Sequence, residues 1–201
     1  NAREENKYYR YDFLFDNCAT RIRDIVKTNA GDSLQIPEIL PAEQITFRNL
    51  IHEYLYNNKA WWSKLGIDIL LGAGLDAYST SEQSMFLPDY LYKGFDGARD
   101  GQTALVEKHH TIFTPAQSAG NTDSYFTPFI AFSILLLVFV LFSFFPGKLP
   151  LRILDFILFL ATGLLGMLLV FMWTGTDHQL CRNNYNLLWA VPLHTIASFT
   201  L

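Results

Sequence analysis

Residues 126–145, FTPFIAFSILLLVFVLFSFF, contain no charged side chain. A helix of about 20 apolar residues crosses a hydrocarbon core of roughly 30 Å, and lipid offers no partner for unpaired backbone polar groups. We therefore predict a membrane-spanning helix at 126–145. A second apolar run predicts another span at 153–173, and a truncated third span is expected from about residue 187.

The 201-residue chain divides into two unlike parts. Residues 1–124 carry most of the charged side chains and are typical of a water-facing domain, whereas residues 125–201 are dominated by Leu, Phe, Ile and Val. The sequence has no initiator Met and stops within an apolar run, so we expect an internal fragment of a longer protein. The net charge of −4 argues against nucleic acid as a partner.

Charge in the short loops predicts the orientation of the spans. The connection between the first two spans holds Lys148 and Arg152 and no acidic residue, whereas residues 118–128 hold no basic residue. The positive-inside rule places Lys148 and Arg152 in the cytoplasm. The N-terminal domain and the 174–186 loop are then expected on the outer face.

The 174–186 loop carries a polar cluster, Asp177, His178 and Arg182, next to Cys181. At the outer membrane surface these side chains could contact a lipid head group. A solvated loop without a ligand is the alternative interpretation.

Residues 8–26, YYRYDFLFDNCATRIRDIV, hold the strongest candidate for a reactive group in the water-facing part. Their aromatic start predicts a strand or an extended lead-in. Asp16 or Asn17 would cap the helix that follows. Four residues recur at helical spacing and define one face of that helix: Cys18, Ile22, Ile25 and Val26.

Cys18 lies in the first turn of this predicted helix, at the positive end of the helix dipole and near Arg21 and Arg23. These features favour the thiolate, which is the form that a nucleophile needs. Asp16, Asn17 and Arg21 are possible orienting or supporting residues because of their proximity.

Two structural alternatives compete with a reactive Cys18. Free cysteine is among the most buried residue types, so Cys18 could fill the inner face of its helix. A disulfide between Cys18 and Cys181 would also remove the nucleophile, because both are expected on an oxidising side of the membrane.

Other segments predict further elements. Residues 40–58 predict a helix, and Thr80 or Ser81 would cap a helix before the apolar residues 85–87. Residues 103–115, TALVEKHHTIFTP, predict a strand. The apolar side of the 40–58 helix is expected to consist of Phe47, Leu50, Ile51, Tyr54 and Leu55.

The histidines predict no metal site. His52 is expected on a helix surface, and His109 and His110 would point to opposite faces of the predicted strand. No group of His, Cys and Asp residues has the spacing of a zinc site. We therefore predict neither a bound metal nor a cofactor.

Three separated motifs resemble the bacterial Lnb-type family: YRYDFLFDNCATRIRDI, GIDILLG with EQSMFLPDYL, and TDH with NYNLLWAVPLH. The resemblance implies an N-terminal periplasmic domain, similar to the papain-like NlpC/P60 group in its permuted form, joined to about five membrane helices. The expected fold class is therefore a partial α+β domain followed by an α-helical transmembrane domain. The expected location is the bacterial inner membrane, as a multi-pass protein.

The resemblance also implies a site and an activity. In the family the catalytic Cys begins a helix, often after Asn, and this pattern matches Cys18 as the nucleophile. The partner His is implied to lie upstream of Asn1, and none of the histidines in this chain matches it. Lnb-type proteins are taken to be lipoprotein N-acyltransferases, so the implied partners are diacylated lipoproteins and membrane lipids, with no cofactor.

Two other function classes fit the same sequence. A cysteine peptidase or amidase anchored in the membrane would use Cys18 but would need no acyl lipid. If the protein were a non-enzymatic membrane scaffold, Cys18→Ser would leave its function unchanged.

Overall fold

A computed structural model describes residues 8–41, 44–113, 126–144 and 149–200. It divides the chain into two compact units, which differ from the predicted halves because residues 51–77 cluster with the apolar C-terminal part. The predicted boundary at 124/125 lies outside the described residues. The first unit comprises 1–50 and 78–117, and the second comprises 51–77 and 118–201.

The first unit is mostly helical and has a small antiparallel sheet in the order β1-β2-β3. The α+β expectation holds in this reduced form among the described residues, and the papain-like arrangement stays a prediction. The helices are α1 (Cys18–Ala30), the start of α2 (Phe47–Asn57), α4 (Ser81–Ser84) and α5 (Pro88–Asp96). The strands are β1 (Leu34–Gln35), β2 (Arg99–Asp100) and β3 (Thr103–Ala104), with Leu34 opposite Asp100 and Arg99 opposite Ala104.

Aromatic rings form the centre of the first unit. The ring of Phe86 lies edge-on to those of Phe13 and Phe47, with centroid distances of 5.8 and 5.9 Å. Leu14 and Met85 are buried with them. The apolar side predicted for α2 is therefore correct at Phe47, and Thr80 caps α4 as expected.

In the aromatic segment expected as a strand or an extended lead-in, residues 12–16 form a tight turn and residues 8–11 have no regular structure. Asp12 and Asp16 exchange backbone hydrogen bonds of 3.1 and 3.0 Å around residues 13–15. The Asp12 carboxylate accepts from the N–H groups of Leu14 and Phe15, both at 2.9 Å. The strand prediction was wrong because an Asp side chain that accepts from nearby backbone N–H groups stabilises a turn.

Most of the strand predicted at 103–115 does not form in the described part of this stretch, which ends at residue 113. Only Thr103 and Ala104 pair with a neighbouring strand, and residues 106–113 have no regular structure. Alternating apolar residues make a strand only where a partner strand is available, and β2 is two residues long.

The second unit contains the rest of α2, α3 (Trp61–Leu70), α6 (Pro128–Ser143), α7 (Leu149–Thr174) and α8 (His194–Ala197). Among the described residues, α7 is the one helix long and apolar enough to cross a membrane, and it covers the predicted span at 153–173. The apolar helix α6 is shorter, with 16 residues. Phe145 and Lys148, which belong to the predicted first span and to the orientation argument, lie outside the described residues.

The segment from residue 187 differs from the predicted third span. It consists of short helical turns, Tyr185–Leu188, α8 and Ser198–Thr200, instead of one continuous helix. Pro192 lies between the first two of these turns, and proline inside a helix removes a hydrogen bond and clashes with the preceding turn.

Two buried glycines let this segment pack closely against α7. A Cβ atom at Gly166 would lie 2.2 Å from the carbonyl oxygen of Ala190, and one at Gly163 would lie 2.3 Å from the backbone nitrogen of Thr195. Small residues on one helix allow this approach of main chain to main chain, as they do between membrane helices.

Gly166→Ala is expected to lower the melting temperature of the detergent-solubilised protein, because the new methyl group must displace the main chain at Ala190. Overpacking of this kind typically costs about 1–3 kcal/mol. Gly66→Ala in α3 is the matched control, since nothing lies within 4 Å of a Cβ atom there. It should leave the melting temperature unchanged or raise it, because alanine is the better helix former by up to about 1 kcal/mol. Equal melting temperatures for the two variants would contradict the close packing.

Candidate functional site

Asn17 caps helix α1, and Cys18 is the first residue of that helix. The Asn17 side-chain oxygen accepts hydrogen bonds from the N–H groups of Ala19 (2.8 Å) and Thr20 (2.9 Å). The Thr20 hydroxyl oxygen in turn accepts from the Asn17 N–H at 2.8 Å. This reciprocal pair is a capping box, and it determines where the helix begins.

The amide nitrogen of the same side chain ties the helix start to two other segments. Asn17 Nδ2 donates to the carbonyl oxygens of Phe13 (2.8 Å) and Phe86 (3.0 Å). Because the residue is buried, losing these bonds would leave polar groups without water or protein partners. Asn17 therefore supports the position of Cys18 and is not itself open to a substrate.

Cys18 is exposed and carries a free thiol. Ile22 and Ile25 on the same side of α1 are also exposed, at 51% and 53%, whereas Ala19 and Thr20 are buried. The helix thus turns its more apolar face outward in the described structure. The alternative of a buried structural Cys18 is wrong, and no disulfide joins Cys18 to Cys181 because both thiols are free.

Ionic contacts hold the opposite side of α1 inward. Arg23 donates to the carbonyl oxygen of Glu82 at 3.1 Å, and Lys27 forms an ion pair of 2.6 Å with the Glu82 carboxylate. The Arg23 guanidinium also bonds to Asp24 at 2.8 Å. Arg23 is therefore engaged by other partners and is not a free cation for the Cys18 thiolate.

Two of the predicted supporting residues pair with each other. Arg21 binds both carboxylate oxygens of Asp16, at 2.6 and 3.1 Å, and its guanidinium lies 3.4 Å from the ring centroid of Tyr9. The hydrogen bond to Asp16 raises the pKa of Arg21. The Arg21 charge is therefore neutralised by the Asp16 carboxylate. Arg21 is near Cys18 because of its position in the chain, and its guanidinium is engaged elsewhere.

Tyr11 is a neighbour of Cys18 that sequence reasoning missed. Partial burial is the first cause that raises the pKa of the Tyr11 phenol, and the negative charge of Cys18 is the second. Tyr11 is 59% exposed, and the Cys18 thiol is exposed as well. The turn at 13–15 brings Tyr11 near Cys18, and nothing in the local sequence pattern indicated that turn.

One backbone donor remains available at the start of α1. The N–H groups of Ala19 and Thr20 donate to the Asn17 side-chain oxygen, so neither is available to an oxyanion. Within the described part of the chain, no acceptor takes the N–H of Cys18. A negatively charged oxygen next to the thiol would therefore meet this one free backbone donor of the first turn.

The described histidines of the first unit make no hydrogen bond to Cys18. His109 contacts Asp96 through Nε2 at 2.7 Å and Tyr92 through Nδ1 at 3.3 Å. His110 is exposed in irregular chain. Among the described residues, no group of three or more His, Cys, Asp or Glu side chains is arranged to bind a metal ion.

The structure leaves Asp177, His178 and Arg182 exposed in the loop after α7. The backbone N–H of His178 donates to the Thr176 hydroxyl at 3.4 Å. Cys181 in the same loop is buried, and burial raises the pKa of its thiol. Contact of this polar cluster with a lipid head group stays a prediction.

Two asparagines fasten this loop to the end of α3. Asn184 Nδ2 donates to the carbonyl oxygens of Ile69 (2.7 Å) and Leu70 (3.1 Å), and Asn186 Nδ2 donates to that of Asp68 (2.9 Å). Helix ends leave such carbonyls without intrahelical partners, so the asparagines act as a side-chain cap. Their position within the NYN motif was the available signal, but the motif alone assigned them no role.

Gly72 completes the junction between this loop and α3. Its N–H donates to the carbonyl oxygen of Leu180 at 2.7 Å, and a Cβ atom there would lie 1.9 Å from the carbonyl oxygen of Arg182. Two of the motifs that carried the resemblance, GIDILLG and NYNLLW, therefore interlock within the second unit.

A second polar group in this unit centres on Asp68. His52 Nε2 and Lys64 Nζ each lie 2.7 Å from one of its carboxylate oxygens. Burial alone would raise the pKa of Asp68, but the hydrogen bonds from Lys64 and His52 outweigh it and lower the pKa. The surface position expected for His52 is wrong, since its side chain is 15% exposed and directed at Asp68.

Family comparisons connect these features. Residues 1–53 match the Lnb N-terminal periplasmic domain, and residues 120–201 match the Lnb transmembrane domain. The chain belongs to the Lnb family. It is therefore an inner-membrane protein with a periplasmic N-terminal domain, and the resemblance read from the motifs is confirmed. Comparison with curated proteins gives no match, and comparison with solved structures gives none either.

In this Lnb-family chain, Asn17→Ala is expected to lower the melting temperature, because it removes a helix cap worth about 1–2 kcal/mol and the donor to the carbonyl oxygens of Phe13 and Phe86. Asn17→Ser should fall between wild type and Asn17→Ala, since a serine hydroxyl can cap the helix but cannot replace Nδ2. Asn29→Ala, at an exposed position near the other end of α1, is the control. Thermal unfolding of all four proteins checks the order. If Asn17→Ser and Asn17→Ala both melted at the same temperature as wild type, the proposed role of Asn17 in stabilising the start of α1 would be contradicted.

Asp68→Asn is expected to destabilise the protein in a pH-dependent way. The folded-state pKa of Asp68 is lowered, so its charged form contributes stability fully above the ordinary value of about 4. That contribution is lost as the pH falls through the folded-state pKa. The difference in melting temperature between wild type and Asp68→Asn should be present at pH 5 and shrink below about pH 4. Exposed Asp32→Asn is the control, and a difference that persists unchanged at pH 3 would contradict the assignment.

Proposed function

We propose that this protein is a membrane-anchored thiol acyltransferase with Cys18 as its nucleophile. It would transfer an acyl chain to the α-amino group of the lipid-modified N-terminal Cys of diacylated bacterial lipoproteins. The observation that carries the proposal is the exposed, free thiol of Cys18 at the first residue of a helix. Membership in the Lnb family supports a site on the periplasmic side of the inner membrane.

The first half-reaction in this proposal loads the acyl chain onto Cys18. The thiolate attacks the ester carbonyl of a membrane lipid, a carbon–sulfur bond forms and the ester carbon–oxygen bond breaks. The lipid leaves as its lyso form after its oxygen takes a proton. The free N–H of Cys18 is available to donate to the oxyanion that forms on the carbonyl oxygen.

The second half-reaction passes the chain to the lipoprotein. The α-amino nitrogen attacks the thioester carbon, the carbon–nitrogen bond forms and the Cys18 thiolate is released. The nitrogen loses its extra proton to a general base. The family resemblance implies a histidine in that role, and the proposal assigns it to neither His109 nor His110.

The surroundings of Cys18 suit an acyl thioester. Ile22 and Ile25 continue from Cys18 along the exposed side of α1 and would give an acyl chain apolar contact. Asn17 fixes the helix start through five hydrogen bonds of its side chain and backbone N–H, so the thiol and the free N–H keep a constant relation. Such preorganisation is what a site of this kind requires.

A membrane location follows from the chemistry of both substrates. The acyl donor is a lipid, and the acceptor is a lipoprotein anchored by its own acyl chains, so both are confined to the membrane surface. The transmembrane domain of the family keeps the catalytic domain at that surface.

The test compares wild type, Cys18→Ser and Cys181→Ala of the full-length protein in cells that lack other lipoprotein N-acyltransferases. Mass spectrometry of a lipoprotein's N-terminal peptide should find the triacylated form with wild type and Cys181→Ala. Cys18→Ser should yield the diacylated form alone, because it lacks the nucleophile. Immunoblots establish equal amounts of the three proteins.

A second readout follows the intermediate. The peptide containing Cys18 should carry an acyl group that hydroxylamine removes, as a thioester requires. Equal triacylation by Cys18→Ser would show that Cys18 is not the nucleophile. An absence of triacylation with wild type would contradict acyl transfer and favour the peptidase or amidase alternative.

A further inference from the structure

A pocket of about 420 Å³ lies within the second unit, between the end of α2, α3 and the first turn of α6. Its volume falls in the range of sites that bind small molecules. The walls are mainly apolar or aromatic, and two charged side chains lie at one end. The lining residues that matter here are Tyr56, Trp61, Leu65 and Phe129, with Lys64 and Asp68 at the polar end.

Aromatic side chains with a polar edge lie in this pocket and at residues next to it in the chain. Trp61 packs edge-on against Tyr56, with ring centroids 5.3 Å apart. Trp62 stacks on Phe126 and donates its indole N–H to the Phe126 carbonyl oxygen at 2.8 Å. Trp and Tyr are enriched where a protein crosses from water into lipid, because one end of each ring is apolar and the other is polar.

The pocket adjoins the start of an apolar helix of the transmembrane domain. Phe129 belongs to the first turn of α6, which lies in the stretch that matches the Lnb transmembrane domain. The aromatic surroundings and the helix start together indicate the level of the membrane interface. An apolar cavity at that level is accessible to the acyl chains of the surrounding lipid.

The polar end of the pocket offers a cation. Both Asp68 carboxylate oxygens are already engaged, one by His52 and the other by Lys64. The Lys64 ammonium has three N–H donors, and the Asp68 contact uses one of them. This arrangement positions Lys64 at the pocket and leaves it able to bind an anionic group such as a phosphate.

We propose that this pocket binds a phospholipid, with one acyl chain against Leu65 and Phe129 and the phosphate at Lys64. A neutral apolar molecule would leave the two remaining N–H donors of Lys64 without an acceptor, whereas a free phosphate would leave the apolar walls without a contact. A phospholipid satisfies both ends of the pocket. This proposal does not require Cys18 to be a nucleophile, so either proposal can fail without the other.

The test uses the full-length protein in nanodiscs that contain phosphatidylglycerol with a photoreactive diazirine near the middle of one acyl chain. After irradiation, mass spectrometry should find the lipid attached to peptides that contain residues 56–65 or 127–129. Leu65→Trp should reduce this labelling by about tenfold, because the larger ring occupies the site of the chain. Leu136→Trp is the matched control, since Leu136 is 66% exposed on α6 and does not line the pocket.

The phosphate contact is tested with a second pair of variants. Lys64→Gln should reduce labelling by phosphatidylglycerol about tenfold, which corresponds to a loss of about 1.4 kcal/mol. Lys64→Arg should retain the labelling because it keeps the charge. Diacylglycerol with the same photoreactive chain should label the wild-type pocket weakly and respond little to Lys64→Gln.

Several results would overturn the proposal. Labelling confined to other peptides, or labelling of the pocket peptides that Leu65→Trp and Lys64→Gln both leave unchanged, would show that no phospholipid occupies the pocket. Equal labelling by diacylglycerol and phosphatidylglycerol would exclude the phosphate contact. Melting temperatures identify a variant that fails to fold, and the other variant then decides the outcome. Photolabelling of the pocket and triacylation of a lipoprotein are independent readouts, so a failure of the acyltransferase proposal is recognised separately.

Discussion

The side chain of Asn17 is the contact on which the candidate active site depends. It caps α1, closes the capping box with Thr20 and binds the carbonyl oxygens of Phe13 and Phe86. An amide has both an acceptor and two donors, so one buried side chain can satisfy the helix start and two separate loops. A carboxylate at this position would cap the helix but could not donate to the carbonyls. The choice of Asn before Cys18 therefore has a physical reason that does not involve catalysis.

The charges near Cys18 illustrate how a local pattern can mislead. Arg21 and Arg23 follow the cysteine closely, but their guanidinium groups bind Asp16 and Asp24. The described environment of the thiol consists instead of Tyr11, an exposed apolar stripe and one free backbone N–H. Reactivity in such a setting depends more on the helix start and on the base than on neighbouring cations.

The second unit uses the same kinds of contact for a different purpose. Asn184 and Asn186 cap the end of α3, and Gly72 admits the main chain of Arg182. Gly163 and Gly166 allow the segment before and within α8 to lie directly on α7. The close approach of two main chains at a glycine depends on shape, and an amide cap at a helix end depends on hydrogen bonding. A hydropathy pattern reports neither shape nor hydrogen bonding. The hydropathy pattern therefore predicted a continuous third span, where Pro192 divides the segment into short turns in the described structure.

The sequence by itself determined that the chain has an apolar helical part and a water-facing part, that a helix with Cys18 in its first turn follows Asp16 or Asn17, and that the chain belongs to the Lnb family. These features depend on composition, local spacing and motif order. Tertiary structure alone decided which face of α1 is exposed, which carboxylate each arginine binds, and that His52 meets Asp68. Helical spacing shows which residues share a face, but only packing decides which face turns inward. Contacts between residues as far apart as Asn17 and Phe86 exist only once the chain has folded.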